Sequence, residues 1–396
     1  MAVRKSTPAK PTAAAKKTGT SSRASAPAGT GMISELDCYL FGAGTHYDIY
    51  QKLGAHPMTF KGKSGIYFAV WAPHAEQVHL VGDFNGWNPD ANPMKKISDM
   101  GIWEYFNPGM KTGELYKFAI TTDTGKILYK ADPFAFSAEY RPGTASVTAD
   151  LSGFSWADTD WITKRAQKDP EKQPMSIYEV HLGSWRTKPV FDEQGNPLTS
   201  EEIAESNRVA ESWYTYKEIA PMLAEYVKEQ GYNYVEFMPL SEHPSDQSWG
   251  YQNTGFFSPT SRYGTADDLK EMIDILHQHN IGAILDFVPV HFALDGYGLA
   301  RYDGTALYEY PSNDVGYSEW GSMNFIHSKG EVRSFLQSAA NYWLSEYHFD
   351  GLRMDAISRI IYWMGDESRG VNDRAVDFIR NMNQGLKDRH PSIILC

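Results

Sequence analysis

The sequence predicts a multidomain chain in which an all-β, immunoglobulin-like sandwich precedes the first half of a (β/α)8 TIM barrel. Three observations support this fold class. The chain has 396 residues, more than one ordinary hydrophobic core accommodates. Short strand-like segments separated by turn residues fill positions 60–150, and from position 175 strands alternate with helices.

The sandwich is predicted from segments rich in β-branched and aromatic residues at regular spacing. Turn-forming residues separate them, as in Gly82-Asp-Phe-Asn-Gly-Trp87 and Asp123-Thr-Gly125. Regular strands with turn signals between them are typical of a β-sandwich. The predicted strands are 65–71, 78–81, 103–106, 115–120 and 126–129.

The second half of the chain repeats strand and helix, which implies parallel strands with right-handed crossovers. The predicted strands are 176–180, 234–238, 282–286, 351–354 and 392–395, and the predicted helices are 215–230, 268–279, 331–347 and 375–387. No Gly-x-Gly-x-x-Gly follows the first of these strands, which argues against a doubly wound dinucleotide fold. Polar residues instead follow several strands, as at the catalytic rim of a barrel. Five strands do not close an eight-stranded barrel, so a partial barrel is expected.

Composition divides the chain into four parts. Residues 1–31 consist mainly of Ala, Lys, Thr, Ser, Pro and Gly and are predicted to be a disordered tail. Residues 32–150 form the sandwich with a lead-in segment, 151–174 a linker, and 175–396 the partial barrel, truncated after its fifth strand.

Charge and cysteine content exclude several classes of partner. The net charge is −12, and the first thirty residues carry six cations and no acid, so the remainder carries −18. This acidity argues against nucleic acid or an anionic membrane, and no apolar stretch is long enough for a membrane span. The tail lacks the apolar core of a signal peptide. The two cysteines, Cys38 and Cys396, indicate reduced thiols and a cytoplasmic location.

Side chains that suit sugar chemistry follow three of the predicted barrel strands. Tyr251 follows the second strand, Asp286 and His291 the third, and Arg353 and Asp355 the fourth. The carboxyl ends of barrel strands meet at one rim, so these groups are expected to converge. Two carboxylates at such a rim suit glycoside chemistry, in which an ionised carboxylate attacks or stabilises an oxocarbenium-like centre.

Asp355 is the better candidate for the ionised carboxylate. Arg353 lies two residues earlier and therefore on the same face of the strand, where it can keep the carboxylate charged. A surface ion pair would show the same spacing, but the apolar neighbours Leu352 and Met354 favour a buried strand. Asp286, His291 and Tyr251 also have structural interpretations as capping, loop and core residues. His291 has no second His or Cys nearby in the sequence, which argues against a metal ligand.

Two segments resemble the first two signature regions of the α-amylase superfamily: Asp286-Phe-Val-Pro-Val-His291 and Gly351-Leu-Arg-Met-Asp355. Further segments narrow the resemblance to α-1,4-glucan branching enzymes. They are 176–185, 248–252, 259–264 and 303–308. Residues 60–150 resemble the carbohydrate-binding module that precedes the barrel in those enzymes.

The resemblance implies a retaining transglycosylase without a cofactor, acting on α-1,4-glucan such as glycogen or amylose. Asp355 would be the nucleophile that forms a glycosyl ester, and Arg353 would orient it. Asp286 and His291 would bind hydroxyls of the sugar at the nucleophile, and Tyr251 would stack on that sugar. A 6-hydroxyl of another glucan chain would then attack and form an α-1,6 branch.

The chain departs from the superfamily pattern in two respects. Val290 stands where calcium-binding amylases usually carry Asn, so no calcium is expected there, and tight stoichiometric binding in a calcium assay would contradict this. The general-acid Glu expected about two residues after the fifth strand does not precede the end at Cys396. The chain as written is therefore predicted to be inactive, because the acid contributes roughly 10²–10⁴ in rate.

In the sandwich, Trp87 resembles the sugar-stacking tryptophan of glycogen-binding modules, and Lys117 matches a basic position in them. A purely structural docking role is the alternative for this module. For the whole chain, the alternatives are a debranching isoamylase-type or trehalohydrolase-type hydrolase of the same superfamily, and a non-catalytic glucan-binding fragment.

Overall fold

The structure is a computed structural model that describes residues 31–396. The predicted tail, 1–31, lies almost wholly outside the described residues. The strands are β1 Gly54–Phe60, β2 Lys63–Trp71, β3 Gln77–Gly82, β4 Lys95–Lys96, β5 Ile102–Pro108, β6 Leu115–Thr121, β7 Ile127–Lys130, β8 Ser146–Val147, β9 Ile177–Val180, β10 Tyr234–Phe237, β11 Ser241–Glu242, β12 Gly255–Pro259, β13 Gly282–Phe287, β14 His291–Ala293, β15 Ser322–Asn324, β16 Gly351–Met354 and β17 Ile394–Leu395. The α-helices are α1 Glu35–Ala43, α2 Thr159–Ala166, α3 Leu182–Trp185, α4 Ser200–Glu205, α5 Tyr216–Glu229, α6 Ala266–Gln278, α7 Asn313–Gly316, α8 Gly330–Glu346, α9 Ser358–Ile361 and α10 Asp373–Arg389.

The N-terminal strands form two antiparallel sheets, which confirms the predicted sandwich. One sheet has the order β1-β2-β5-β4, and the other has the order β3-β6-β7 with β8 paired to β6. Alternate residues of β6 point into the core, where Tyr116 and Phe118 are fully buried. The Phe68 ring of β2 meets the Tyr116 ring edge to face, with ring centroids 5.0 Å apart. The two inner faces therefore share one aromatic core.

Helix α1, in the lead-in segment, packs on barrel helix α8. Ser34 caps its N-terminus in a reciprocal pair with Asp37, and a left-handed Gly44 ends it. The Ser334 hydroxyl of α8 donates to the Phe41 carbonyl at 2.9 Å, while the Phe41 ring contacts Trp71 of the sandwich. The lead-in therefore joins both parts of the molecule, and the predicted domain boundaries stay a prediction.

The C-terminal half contains five parallel strands in the order β9-β10-β13-β16-β17, which confirms the predicted half barrel. Helices α5, α6, α8 and α10 lie between successive strands. The central strands are apolar and buried, as parallel strands covered by helices require. Their register places Phe237 opposite Leu285, and Leu285 opposite Leu352. Among residues 31–396, no helix combines the length and apolarity that a membrane crossing needs.

The segment predicted as a linker contains helix α2, which lies against the amino-terminal ends of the barrel strands. Asp350 is buried there, just before β16, and accepts four hydrogen bonds. Its donors are Trp161 Nε1 at 2.8 Å, Arg165 Nη1 at 2.6 Å, His277 Nε2 at 3.0 Å and the Ala283 amide at 2.7 Å. His277 Nδ1 lies 2.8 Å from Asp158 Oδ2. These hydrogen bonds connect helix α2 to the amino-terminal end of the barrel.

Candidate active site

The predicted site residues meet at the carboxyl ends of the barrel strands. Asp286 of β13 lies directly opposite Arg353 of β16 in the parallel register. Asp355 follows β16, and its backbone amide donates to the Phe287 carbonyl at 3.0 Å. That bond extends the pairing one step beyond the strand and holds Asp355 at the rim.

Arg353 joins the two carboxylates through one guanidinium nitrogen. Its Nη1 donates to Asp286 Oδ2 and to Asp355 Oδ1, both at 2.7 Å. Burial opposes the charge of Arg353, but the hydrogen bond to Asp286 and the charges of both aspartates outweigh burial and raise the pKa of Arg353. The cation is therefore permanent, and it offsets much of the repulsion between two adjacent carboxylates.

Asp286 is the buried member of the pair, with a side chain only 2% exposed. Tyr251 donates its hydroxyl to Asp286 Oδ2 at 2.6 Å, while Asp286 Oδ1 has no partner among the described residues. Burial raises the pKa of Asp286 to about 6, although the hydrogen bonds from Tyr251 and Arg353 act in the opposite direction. An unpartnered buried oxygen is costly unless a ligand hydroxyl satisfies it.

A tight turn brings Tyr251 to this position. Gly250 has a φ of +91°, and a Cβ there would lie 2.3 Å from the Pro239 carbonyl oxygen, so only glycine fits. The preceding Trp249 has a left-handed φ of +53° and is 57% exposed. Burial and the hydrogen bond to Asp286 raise the pKa of Tyr251, so its hydroxyl remains a donor at neutral pH.

His291, at the start of β14, is buried and neutral. Burial lowers the pKa of His291 to about 4. Its Nδ1 atom has no hydrogen-bond partner among the described residues. A neutral imidazole can both donate and accept, so this ring is chemically suited to a sugar hydroxyl.

Asp355, Tyr251 and His291 line one open cleft of about 300 Å³ together with Ser248, Gln252 and Trp320. Sequence reasoning did not find Trp320, because it lies in a long irregular segment without periodicity. Its ring is 44% exposed and has its centroid 5.2 Å from that of His291. Gln252 Nε2 donates to the Trp320 carbonyl at 2.8 Å.

Another cavity, of about 250 Å³, lies between the sandwich and the barrel and is lined by none of these residues. The candidate active site is the cleft at the strand ends, because the carboxylates that can carry the chemistry lie there.

Trp87 and Lys117 lie apart from this cleft, in the sandwich. The Trp87 indole donates to Asp83 Oδ1 at 2.7 Å and is partly exposed. Lys117 Nζ donates to the Thr144 hydroxyl at 2.5 Å and lies 5.7 Å from the centroid of the Tyr297 ring. Lys117 therefore faces the barrel, and the role of both residues in glucan binding stays a prediction.

Val290 has an apolar environment. It is buried in a small cluster with Ile360 and Ala375. Within 31–396, no group of three His, Cys, Asp or Glu side chains is arranged to hold a metal ion. The absence of calcium at Val290 stays a prediction for the calcium assay.

The sandwich, the parallel half barrel and the bridged carboxylates define a protein of the α-amylase class. Residues 52–135 match the family described as carbohydrate-binding module 48 (isoamylase N-terminal domain), and residues 216–300 match alpha amylase, catalytic domain. A solved structure of a putative alpha amylase from Salmonella typhimurium aligns with 87% of this chain and 48% of its own, with a TM-score of 0.62 and 22% identity. Apo pullulanase from Paenibacillus barengoltzii aligns with 86% of this chain and 51% of its own, with a TM-score of 0.61 and 19% identity. These two likenesses concern the fold alone.

Sequence relatives are more specific. The chain is 46% identical over 374 residues to the 1,4-alpha-glucan branching enzyme of Butyrivibrio fibrisolvens, covering 92% of this chain and 56% of that protein. It is 44% identical over 360 residues to the branching enzyme of Bacillus subtilis, covering 91% of this chain and 54% of that protein. The chain belongs to the family of 1,4-alpha-glucan branching enzymes. It spans about half the length of the curated relatives it matches.

Proposed function

We propose that this protein acts in glucan branching, by retaining transfer of a cleaved α-1,4-glucan segment to a 6-hydroxyl. The observation that carries the proposal is the single guanidinium that holds Asp355 beside Asp286 at the strand ends. The 42–46% identity to branching enzymes supports transfer over hydrolysis within the superfamily.

In the proposed reaction, Asp355 attacks the anomeric carbon of an α-1,4 linkage. The bond from that carbon to O4 breaks, the leaving O4 takes up a proton from water, and a glycosyl ester forms on Asp355. A 6-hydroxyl of a second chain then attacks the same carbon and loses its proton to water. An α-1,6 linkage forms, and Asp355 is released as a carboxylate.

The other side chains bind the sugar and hold the nucleophile. Arg353 keeps Asp355 oriented through the 2.7 Å hydrogen bond. The free Asp286 oxygen and the neutral His291 ring accept and donate hydrogen bonds to sugar hydroxyls. The Tyr251 ring packs on the sugar while its hydroxyl remains bonded to Asp286.

The nucleophile is tested by covalent labelling with a 5-fluoro-α-maltosyl fluoride. Fluoride departs without protonation, so the reagent tests attack by Asp355 independently of any general acid. We expect one adduct, which peptide mass spectrometry locates on Asp355. Asp355→Asn should abolish the adduct, while the exposed Asp366→Asn should retain it. An adduct on another carboxylate, or none, would contradict the assignment.

The product distinguishes branching from hydrolysis. If amylose is turned over, we expect a fall in iodine staining and new α-1,6 linkages. Isoamylase digestion detects these linkages because it cleaves them and releases the side chains. Free short sugars without branches would identify a hydrolase of the same superfamily and contradict the proposed transfer. The inactivity of the chain as sequenced stays a prediction, and binding of amylose without turnover would agree with it.

Glucan binding by the sandwich is a second, separate proposal, supported by the match to carbohydrate-binding module 48. Trp87→Ala is expected to reduce glycogen retention on an affinity gel, since loss of an aromatic stack costs about 0.5–1.5 kcal/mol. Tyr129→Ala, which removes an exposed ring from the edge strand β7, is the matched control. Unchanged retention of the Trp87 variant would favour the docking role for the module.

We also propose a cytoplasmic location. The cysteines at 38 and 396 are both free, which fits a reducing compartment. Mass spectrometry of protein isolated under alkylating conditions should find both cysteines alkylated, which reports that both were reduced in the cell.

A further inference from the structure

The chain between β14 and β15, residues 294–321, leaves the barrel, contacts the sandwich and returns. We call it the excursion. It begins three residues after His291 and ends beside Trp320, and both of these line the cleft. The excursion therefore connects two residues that line the candidate active site.

Lys130, the last residue of sandwich strand β7, enters the excursion from the side and is only 2% exposed. Its Nζ donates to three backbone carbonyls, of Gly296 at 2.7 Å, Gly298 at 3.1 Å and Ala300 at 2.7 Å. An ammonium has three donors, so all are used. Three carbonyl dipoles thus converge on one buried cation, an arrangement proteins otherwise use to hold a metal ion.

Other contacts connect the sandwich to the same stretch. The Ala131 amide donates to the Tyr297 carbonyl at 2.8 Å, and the Tyr302 hydroxyl donates to the Ala131 carbonyl at 3.0 Å. His74 donates through its backbone amide to Asp303 at 3.0 Å. The sandwich residues His74 and Ala131 therefore contact the excursion between residues 297 and 303.

Lys130 is the buried cation of this interface, and its loss would leave three backbone carbonyls without a donor. Without it, three buried carbonyls lose their donor, which is unfavourable for each of them. Burial lowers the pKa of Lys130 to about 8, while the charges of Glu309 and Asp303 act to raise it. The excursion also contributes apolar side chains to the core, which do not depend on the cation for their contacts. Those that are at most 2% exposed are Leu299, Tyr302, Leu307 and Tyr308.

We propose that Lys130 is a positioning residue for the transfer reaction, through which the sandwich fixes the excursion and with it His291 and Trp320. This inference rests on the proposed function. It assigns the sandwich an action on the active site that is separate from any glucan binding of its own.

The test is chemical rescue of Lys130→Ala. We expect labelling of Asp355 by the fluoride reagent to slow by on the order of 10²-fold, since misplacement of about 1 Å has that effect. Ethylammonium, which supplies a cation with N–H donors, should restore labelling. Tetramethylammonium has the same charge and no donor, so it should not. Lys126→Ala, an exposed lysine just before β7, should label like the parent.

Hydrogen exchange of amides 294–305 gives a readout that does not depend on the reaction. Lys130→Ala should increase exchange there, and ethylammonium should reverse the increase. Lys130→Met keeps the apolar stem and is measured in parallel in case the alanine variant does not fold. Unchanged labelling in a folded variant, or equal rescue by both cations, would overturn the proposal. A parent chain that is not labelled at all would refute the proposed function instead, while exchange would still report on the interface.

Discussion

Asp350→Ala is expected to lower the free energy of unfolding by about 3–5 kcal/mol, because it breaks a buried ion pair and leaves the partner charges in place. Arg165 and His277 would each lose a carboxylate, and Trp161 and the Ala283 amide would lose their acceptor. The decrease is measured as the shift of the chemical denaturation midpoint. Asp366→Ala, at an exposed position, is the control. A loss under about 1 kcal/mol would mean that solvent replaces the lost contacts.

The same variant should have a characteristic pH dependence. Burial opposes ionisation of Asp350, but the charge and hydrogen bond of His277 outweigh burial and lower the pKa of Asp350 below 3.8. Its stabilising effect is therefore present above pH 3.8 and is lost as the pH falls below that value. Burial likewise opposes the charge of His277, but Asp350 and Asp158 raise its pKa above 6.5, so that contribution is complete below pH 6.5 and is lost at higher pH. The difference between parent and variant should be largest between pH 3.8 and 6.5.

Arg353→Met is expected to reduce the labelling rate of Asp355 by about 10²–10³, the size of effect found when one preorganised hydrogen-bond donor is removed from a catalytic site. Without the guanidinium, two adjacent carboxylates repel each other and Asp355 loses the donor that orients it. Arg353→Lys should retain part of the rate, since one nitrogen serves both aspartates. Rates are followed by intact mass spectrometry over time.

Arg208→Met is the matched control for this experiment, because it removes an arginine that pairs with Glu211 at the surface. It should label like the parent. Labelling of Arg353→Met at the parental rate would show that Asp355 does not depend on its cation.

The half barrel and most of the site could be predicted because both depend on local patterns. Buried parallel strands are continuous apolar runs, and residues that follow them meet at one rim whatever the intervening helices contain. Asp286 and Arg353 are therefore placed together by strand order alone. The two-residue spacing of Arg353, in β16, and Asp355, directly after it, required no tertiary information.

The features that could not be predicted depend on contacts between distant parts of the chain. Lys130 is separated by 166 to 170 residues from the carbonyls it binds, and Asp350 by 185 residues from Arg165. Neither lysine nor aspartate at those positions differs in sequence from an ordinary surface charge. Trp320 lies in irregular chain, where no period shows which way a side chain points. The docking of α1 on α8 likewise joins segments that lie far apart in the sequence.

The pairing of Asp286 with Arg353 also has a consequence for how the chain reaches its native state. If β16 were displaced by one residue along β13, Leu352 or Met354 would stand opposite Asp286, and Arg353 would turn to the other face of the sheet. Asp286 would then be buried without a counterion, and it would have to take up a proton or bear the cost of an unpaired buried charge. Misaligned intermediates are therefore penalised by the same charges that the site requires. The charge pair that the site requires therefore also favours the native register of β16 on β13.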